Sequence, residues 1–332
     1  MEPAVESKPL VAVILGGTSP ERDISLATGE SVLEHFPRDR YEPRRVEIRA
    51  DGSWEVEGRD PAGPAAAGEW LRGIDLVFPA LHGRGGEDGV LQGFLETLGV
   101  PYVGSGVSAS AIAMDKARTR EVLSAQGFLL PAALELRGRD AIPQVDLPIV
   151  VKDPTGGSSL DLAVVKDREA LLAVVERLLD RPGGRVLIEE YVAGVELTCA
   201  VIGNASVGGD LRAFPPVLIR PKSAEWFDYE TKYDPDAVDE ICPAPVADEV
   251  SERVTTLALT AHRTLGCDGI TRTDFIVPDD GEPRFLEINT LPGLTAASIS
   301  PKAAAAAGIG FTELIAMLLD GAREKAGQSA RP

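Results

Sequence analysis

Two apolar runs near the C-terminus, GITRTDFIV (269–277) and RFLEINT (284–290), are joined only by PDDGEP, which folds them against each other as an antiparallel hairpin. Within that connection Asp280-Gly281 is a favoured pair for a two-residue loop. The register it sets opposes Asp274 to Glu287, Arg272 to Asn289 and Ile276 to Phe285. Opposed residues of an antiparallel pair share a face, so the four polar side chains converge on one patch beside an apolar pair. Two opposed carboxylates repel unless a cation joins them, and a hard divalent ion such as Mg²⁺, which takes carboxylate and phosphate oxygens, suits this set. A solvated hairpin edge carrying two acids is the alternative. Pro278 and Pro283 cannot donate to a ladder, which leaves a wider loop open as well.

The chain around this hairpin has 332 residues, enough for two or three domains, and 44% hydrophobic and 26% charged residues are ordinary globular values. Its formal net charge of -19 argues against nucleic acid or an anionic membrane as a general partner, because both select a positive footprint. An anionic small molecule can still bind in a local basic pocket. Cys199, Cys242 and Cys267 are widely spaced and form no C-x-x-C pattern, so neither a disulfide framework nor a zinc site is expected. The N-terminal apolar run is too short for a membrane span and lacks the charged lead of an export signal. Both features point to the cytoplasm.

In the first third, strand signals (LVAVIL, YEPRRVEI, IDLVFPAL, VPYVG) alternate with helices starting near Pro20 and Glu87, the pattern of an open parallel α/β unit. A second unit begins near Ser108 with a helix through Met114-Asp115-Lys116. PIVVKD, the turn TGGSS, LAVVK, the helix DREALLAVVERLLD and RVLIEEYV follow, and alternation is no longer strict. The last unit runs from LTCAVIG through a long loop, an amphipathic helix stopped by Gly266, the hairpin and a terminal helix. The expected class is α/β, becoming α+β in the C-terminal half.

Several segments carry groups that suit phosphate or amino-acid chemistry. Thr155-Gly156-Gly157-Ser158-Ser159 follows the strand bearing Lys152, so backbone N–H groups and hydroxyls can close over phosphate oxygens; no Walker A pattern is present, and a plain surface turn reads the same way. Lys116 sits in a first helical turn, where a lysine is commonly just solvated. Glu189, Glu190 and Glu196 flank a strand end and suit an amino group and ribose hydroxyls, or water. Glu21 follows Ser19-Pro20 as a first-turn acid favoured by the helix dipole, or as a carboxylate for a substrate ammonium. His82 ends an apolar strand inside LHGRGGEDG, a site-like position in an α/β sheet.

In order along the chain, GGTSPER, LHGRGGEDG, GSGVSASAIAMDK, VVK with GGSS, IEEYV with GVE, FDYETKY, GITRTDF and LEINTLPGLT closely resemble the D-alanine-D-alanine ligase family of the ATP-grasp superfamily. HGRGGEDG, DYETKY and ExNTxPG are the most specific parts, and the resemblance covers nearly the whole chain. It implies an ATP-grasp fold preceded by a Rossmann-like N-terminal domain. The three domains would be 1–106 for substrate, 107–193 as the central subdomain and 194–332 as the C-terminal subdomain. The implied enzyme joins two D-alanines at the expense of ATP for peptidoglycan precursors, as a cytoplasmic homodimer.

The same resemblance assigns roles by motif position. Lys116 and Lys152 would contact ATP phosphates, Glu189 the adenine amino group, Glu190 and Val192 the base through their backbones, and Glu196 the ribose. Trp226 would pack on the adenine. Asp274, Glu287 and Asn289 would hold two Mg²⁺ ions, with Mn²⁺ as a substitute. Glu21, with His82 nearby, would hold the first D-alanine; Ser298 would orient the second. Arg272 and the Gly293 N–H would stabilise the oxyanion. Ser158, Ser159, Lys232 and Tyr233 would belong to phosphate-covering and closing loops that exclude water. Tyr233 favours the D-alanine-D-alanine ligase over a relative that makes the D-lactate ester. Three departures bear on this: Asp153 replaces a usual proline, Asp161 a usual glycine and Ala297 a common histidine. A carboxylate ~8 Å from a phosphate charge costs roughly 2 kcal/mol. A ligase for another D-amino acid and a non-catalytic ATP-binding protein are the alternatives.

Overall fold

The computed structural model describes residues 7–56, 58–138, 142, 144–157, 162–222 and 238–329. Its first sheet has the order β3-β2-β1-β4, formed by β1 (Leu10–Gly16), β2 (Glu42–Ile48), β3 (Trp54–Val56) and β4 (Leu76–Pro79). Strand β1 is parallel to β2 and β4, and β3 adds an antiparallel edge. The helices are α1 (Arg22–Glu34), α2 (Pro64–Leu71) and α3 (Val90–Leu98). The VPYVG segment contributes a single parallel bridge, Val77 to Tyr102, beside Pro101, which has no N–H to extend it. Helix α3 starts at Val90 rather than near Glu87 because Glu87 and Asp88 fold the preceding loop, accepting from the Gly83 and Gly85 N–H groups.

The second sheet is antiparallel throughout, in the order β5-β8-β6-β7: β5 (Ala133–Arg137), β6 (Ile149–Lys152), β7 (Leu162–Val165) and β8 (Arg185–Glu190). The expected helix through Met114 to Lys116 is instead two helices, α4 (Val107–Met114) and α5 (Lys116–Ser124). Asp115 breaks it. Its backbone is extended, and its side chain accepts from the Arg118 N–H as an N-cap, leaving Lys116 as the first residue of α5. Asp167 caps α6 (Arg168–Leu179) in the same way, accepting from the Ala170 N–H at 2.8 Å. Helix α6 buries Leu171, Val175 and Leu178 against Val151, Val186 and Ile188, a core confined to the second sheet and its connections. Each such side chain stabilises the fold by about 1.5–3 kcal/mol relative to exposure.

The third sheet runs β12-β11-β9-β13-β14, with β10 on β9: β9 (Val195–Asn204), β10 (Arg212–Ala213), β11 (Val217–Pro221), β12 (Val238–Ile241), β13 (Asp268–Val277) and β14 (Arg284–Asn289). Helix α7 (Asp248–Leu265) ends at Gly266, whose φ of 66° suits the left-handed cap. It packs Val254, Leu257, Ala258 and Ala261 with Leu197, Phe275 and Phe285. Helices α8 (Ile299–Ala306) and α9 (Phe311–Ser329) join a different core. Leu314, Leu318 and Ala303 meet Val13 and Phe78 of the first sheet and Ala200 and Ile270 of the third, so these two sheets share one interior. Among the described residues no single helix is long and apolar enough to cross a membrane.

The hairpin departs from its expected register halfway along. Arg272 faces Asn289 and Asp274 faces Glu287, but the pairing then shifts, giving Phe275 to Phe285 and Ile276 to Arg284. The expected Ile276–Phe285 pair and the two-residue loop are therefore both corrected. The connection covers 278–283, with the Gly281 N–H on the Pro278 carbonyl, and the Phe285 N–H turns away to the Leu129 carbonyl. Its prolines widen the loop, and the bulge absorbs the extra residue. Phe275 and Phe285 go to the core, where their rings meet edge-on 6.2 Å apart, while Ile276 and Leu286 face a cleft beside Asp274 and Glu287.

Candidate active site

Two compartments meet at the hairpin. A cleft of about 380 Å³ lies between the second and third sheets, with Lys116, Lys152, Glu189, Glu190, Val192 and Glu196 on its walls. A second space of about 450 Å³ lies toward the first sheet and is lined by Glu21, His82, Arg272, Asn289, Gly293 and Ser298. Asp274 and Glu287 line both. Ser158, Ser159, Asp161, Trp226, Lys232 and Tyr233 lie outside the described residues.

Repulsion between the opposed acids is answered by two side-chain cations. Asp274 is 2% exposed; its carboxylate accepts from Arg272 Nε and Nη2, both at 2.9 Å, and from Thr198 Oγ1 at 2.5 Å. Burial works against the Arg272 charge, yet Asp274, then Glu287 and Glu196, raise its pKa. Glu287 Oε2 lies 3.2 Å from Lys116 Nζ, which also donates to the Gly156 carbonyl at 2.7 Å. Among the described residues no cluster of three or more His, Cys, Asp or Glu side chains could hold a metal ion. Asp274, Glu287 and Asn289 supply oxygen donors of the hard kind that Mg²⁺ takes beside substrate phosphates, with the Asn289 amide here turned so that its nitrogen lies 3.5 Å from Asp274 Oδ2. The residues present fit that ion.

Asp153 has a structural role where proline was expected. Its Oδ1 accepts from the Thr155 N–H at 2.8 Å and Thr155 Oγ1 at 2.9 Å, and its carbonyl accepts from Gly156 N–H. This side-chain turn shapes the 153–156 bend without the fixed φ of a proline. The bend is tied to Lys116 at its backbone as well, through the N–H of Lys116 on the Pro154 carbonyl.

At the far side, Glu21 is the N-cap residue of α1 and is 8% exposed. Its carboxyl lies against the Gly83 and Gly157 backbones, where a Cβ would come within 2.5 Å of Oε2. Burial, with Glu87 next, pushes the Glu21 carboxyl up to about 7 against the pull of His82 and Lys116. His82 Nε2 lies 2.9 Å from Thr28 Oγ1 and Nδ1 lies 3.3 Å from Glu87 Oε1. Sequence reasoning missed Glu87, although its place in the GRGGEDG loop was a signal. Ser298 Oγ accepts from the Thr295 N–H at 3.1 Å, and a Cβ on Gly293 would lie 3.1 Å from it, so the two are neighbours.

The raised Glu21 value has a measurable consequence. Between its ordinary value of 4.5 and about 7 the folded protein keeps a proton that the unfolded chain has released. The group's contribution to stability is thus full below about 4.5 and is lost as pH rises through about 7. The loss amounts to ~3 kcal/mol. Glu21→Gln should melt like the wild type near pH 4 and increasingly above it from pH 5 to pH 8; parallel melting temperatures across that range would refute the assignment.

Two antiparallel sheets closing on a nucleotide-sized cleft, with a parallel sheet presenting Glu21 and His82 across the hairpin, define a protein of the ATP-grasp class. Family models described as D-ala D-ala ligase N-terminus and C-terminus match residues 10–70 with 58–105, and 134–320. The chain belongs to the D-alanine-D-alanine ligase family. The D-alanine--D-alanine ligase of Desulforudis audaxviator is 41% identical over 95% of this chain and 99% of its own length. The Bacillus anthracis D-alanine--D-alanine ligase complexed with ATP superposes with a TM-score of 0.80 at 30% identity, over 97% of this chain and 100% of the other. VanG D-Ala:D-Ser ligase from Enterococcus faecalis gives 0.82 at 27% identity, over 95% and 100%.

Proposed function

We propose that this protein joins two D-alanines to D-alanyl-D-alanine, consuming ATP through a D-alanyl phosphate, for peptidoglycan precursor synthesis. The observation that carries this reading is the shared wall: Asp274 and Glu287 face both the nucleotide-sized cleft and the compartment holding Glu21. A phosphoryl group in one can therefore meet a carboxylate in the other. Asp274, Glu287 and Asn289 would hold two Mg²⁺ ions, or Mn²⁺ in their place, which supply charge neutralisation to the transferring phosphoryl group.

Glu21, ionised, would hold the first substrate's ammonium, with His82 beside it. The first carboxylate then attacks the γ-phosphorus as the bond to ADP breaks, and Lys152 and Lys116 offset charge on the phosphates. The second D-alanine, oriented by Ser298, attacks the acyl carbon as a neutral amine after its ammonium proton has left. Phosphate departs as the amide forms. Arg272 has five N–H donors and gives two to Asp274, so its guanidinium can serve the oxyanion together with the Gly293 N–H while staying paired. Ser158, Ser159, Lys232, Tyr233 and Trp226 would close and line the nucleotide side. The same proposal includes the division at 1–106, 107–193 and 194–332, a homodimer and a cytoplasmic location.

Ala297, exposed beside Ser298, supports a second reading in which the second subsite takes another D-amino acid. Coupled ADP release with D-alanine alone, then with added D-serine or D-lactate, followed by product identification, tests both. D-alanyl-D-alanine as the main product is expected. A dominant D-serine amide would favour the second reading, a dominant D-lactate ester would overturn both, and absent D-alanine-dependent ADP release would overturn the ligase assignment.

A further inference from the structure

Arg120 stands one turn beyond Lys116 on α5, behind the nucleotide cleft and off its walls. It is 8% exposed, and its Nη1 donates to Glu189 Oε1 at 2.9 Å while its Nη2 donates to the Pro131 carbonyl. Glu189 is 3% exposed, and its other oxygen meets Lys152 Nζ at 2.5 Å. One buried carboxylate therefore faces two buried cations. A single partner would neutralise it, so the second positive charge is unbalanced within this trio. Of the two cations, Lys152 is on the cleft wall and can reach an entering phosphate; Arg120 is fixed between Glu189 and a backbone carbonyl.

We propose that Lys152 changes partner when nucleotide enters, from Glu189 to phosphate, and that Arg120 is the positioning residue that then holds Glu189 to accept the adenine amino group. Arg120 thereby sets base selectivity without touching the nucleotide. This rests on the reading of the cleft as the ATP site, with Glu189 at the base. A carboxylate pinned at Oε1 still offers lone pairs at Oε2 once Lys152 has left. An amino group at C6 of the purine donates to it, whereas a C6 carbonyl, as in hypoxanthine, sets acceptor against acceptor. Such a site discriminates through the buried polar group that the wrong base leaves unpaired. Without Arg120, Lys152 is the remaining counter-charge for Glu189, and phosphate must compete for it.

The test compares ATP with ITP as the nucleotide for D-alanine ligation by the full chain, in the wild type, R120Q, R120K, E189Q and R120Q/E189Q. R120Q is expected to raise KM for ATP roughly tenfold or more, with kcat within about threefold, and to lower the ATP-over-ITP preference by about tenfold. R120K restores part of both, because a single ammonium keeps the charge but cannot fork between Glu189 and Pro131. The double variant is no worse than E189Q, since Arg120 acts through that carboxylate. KM for ATP and the ATP/ITP ratio within twofold of wild type in R120Q, with discrimination lost in E189Q, would overturn the role of Arg120 alone. Retained discrimination in E189Q would overturn the reading of Glu189 and the proposal with it. Should R120Q not fold, R120K decides by the same two readouts, and wild-type selectivity there overturns the proposal.

Discussion

Glu287→Gln is expected to lower D-alanine-dependent ADP release by about 10²–10³-fold while leaving the fold intact. The substitution is nearly isosteric and removes one of the two negative charges on the shared wall. Glu287 retains 25% side-chain exposure and faces Lys116 at 3.2 Å. Lys116, 13% exposed, keeps its bond to the Gly156 carbonyl when Glu287 is neutralised, so the substitution should cost about 1–2 kcal/mol and move the melting temperature by only a few degrees. Under the proposed metal-binding role, turnover depends on that charge in a way stability does not. Steady-state ADP release and a thermal melt on the same preparation separate the two effects. Near-normal turnover would remove Glu287 from the metal-binding set.

Arg272→Leu is expected to be damaging twice over. Asp274 is buried and takes two hydrogen bonds from that guanidinium, so truncation leaves a buried carboxylate with Thr198 and Asn289 as its hydrogen-bond donors among the described residues. Removing one partner of a buried ion pair typically costs ~3–5 kcal/mol. Under the proposed mechanism the oxyanion also loses its cation. Arg272→Lys keeps a charge but not the fork, and should fall between. Pairing Arg272→Leu with Asp274→Asn should recover much of the stability and none of the turnover, because the unpaired charge is gone while both functional groups remain absent. Urea unfolding measures the first and ADP release the second. A loss below about 1 kcal/mol in the single variant would mean that Asp274 does not depend on Arg272.

The upper half of the hairpin was legible because a short connection leaves few registers, and Arg272–Asn289 and Asp274–Glu287 fall where it places them. The lower half was not. Its bulge involves the carbonyl of Leu129, far away in sequence, and loop prolines that spoil a two-residue turn. Glu21 was visible at a helix start, yet its burial depends on Gly83 and Gly157, which local pattern cannot bring together. Arg120 drew no attention in the sequence, since nothing within α5 signals that its partner stands on β8. The break at Asp115 was readable in principle: an aspartate three residues before an amide it can cap is a start signal even inside a helical run. Roles for individual residues came from ordered motifs, because spacing alone leaves a solvated alternative for each acid and lysine.

The two walls of the cleft between the second and third sheets are unequal in their ties. The first and third sheets share an interior filled by α8 and α9, whereas the second sheet closes its own small core with α6. Separating the first two means exposing a common apolar mass, but loosening the second disturbs chiefly its own. Subglobal opening should therefore begin in 133–190, and amide exchange there should set in before exchange in β9 and β13. A ligand gripping Lys152 and Glu189 on one side and Asp274 on the other would act as a staple across that weak seam. Protection of the second sheet by nucleotide would then exceed protection anywhere else in the chain.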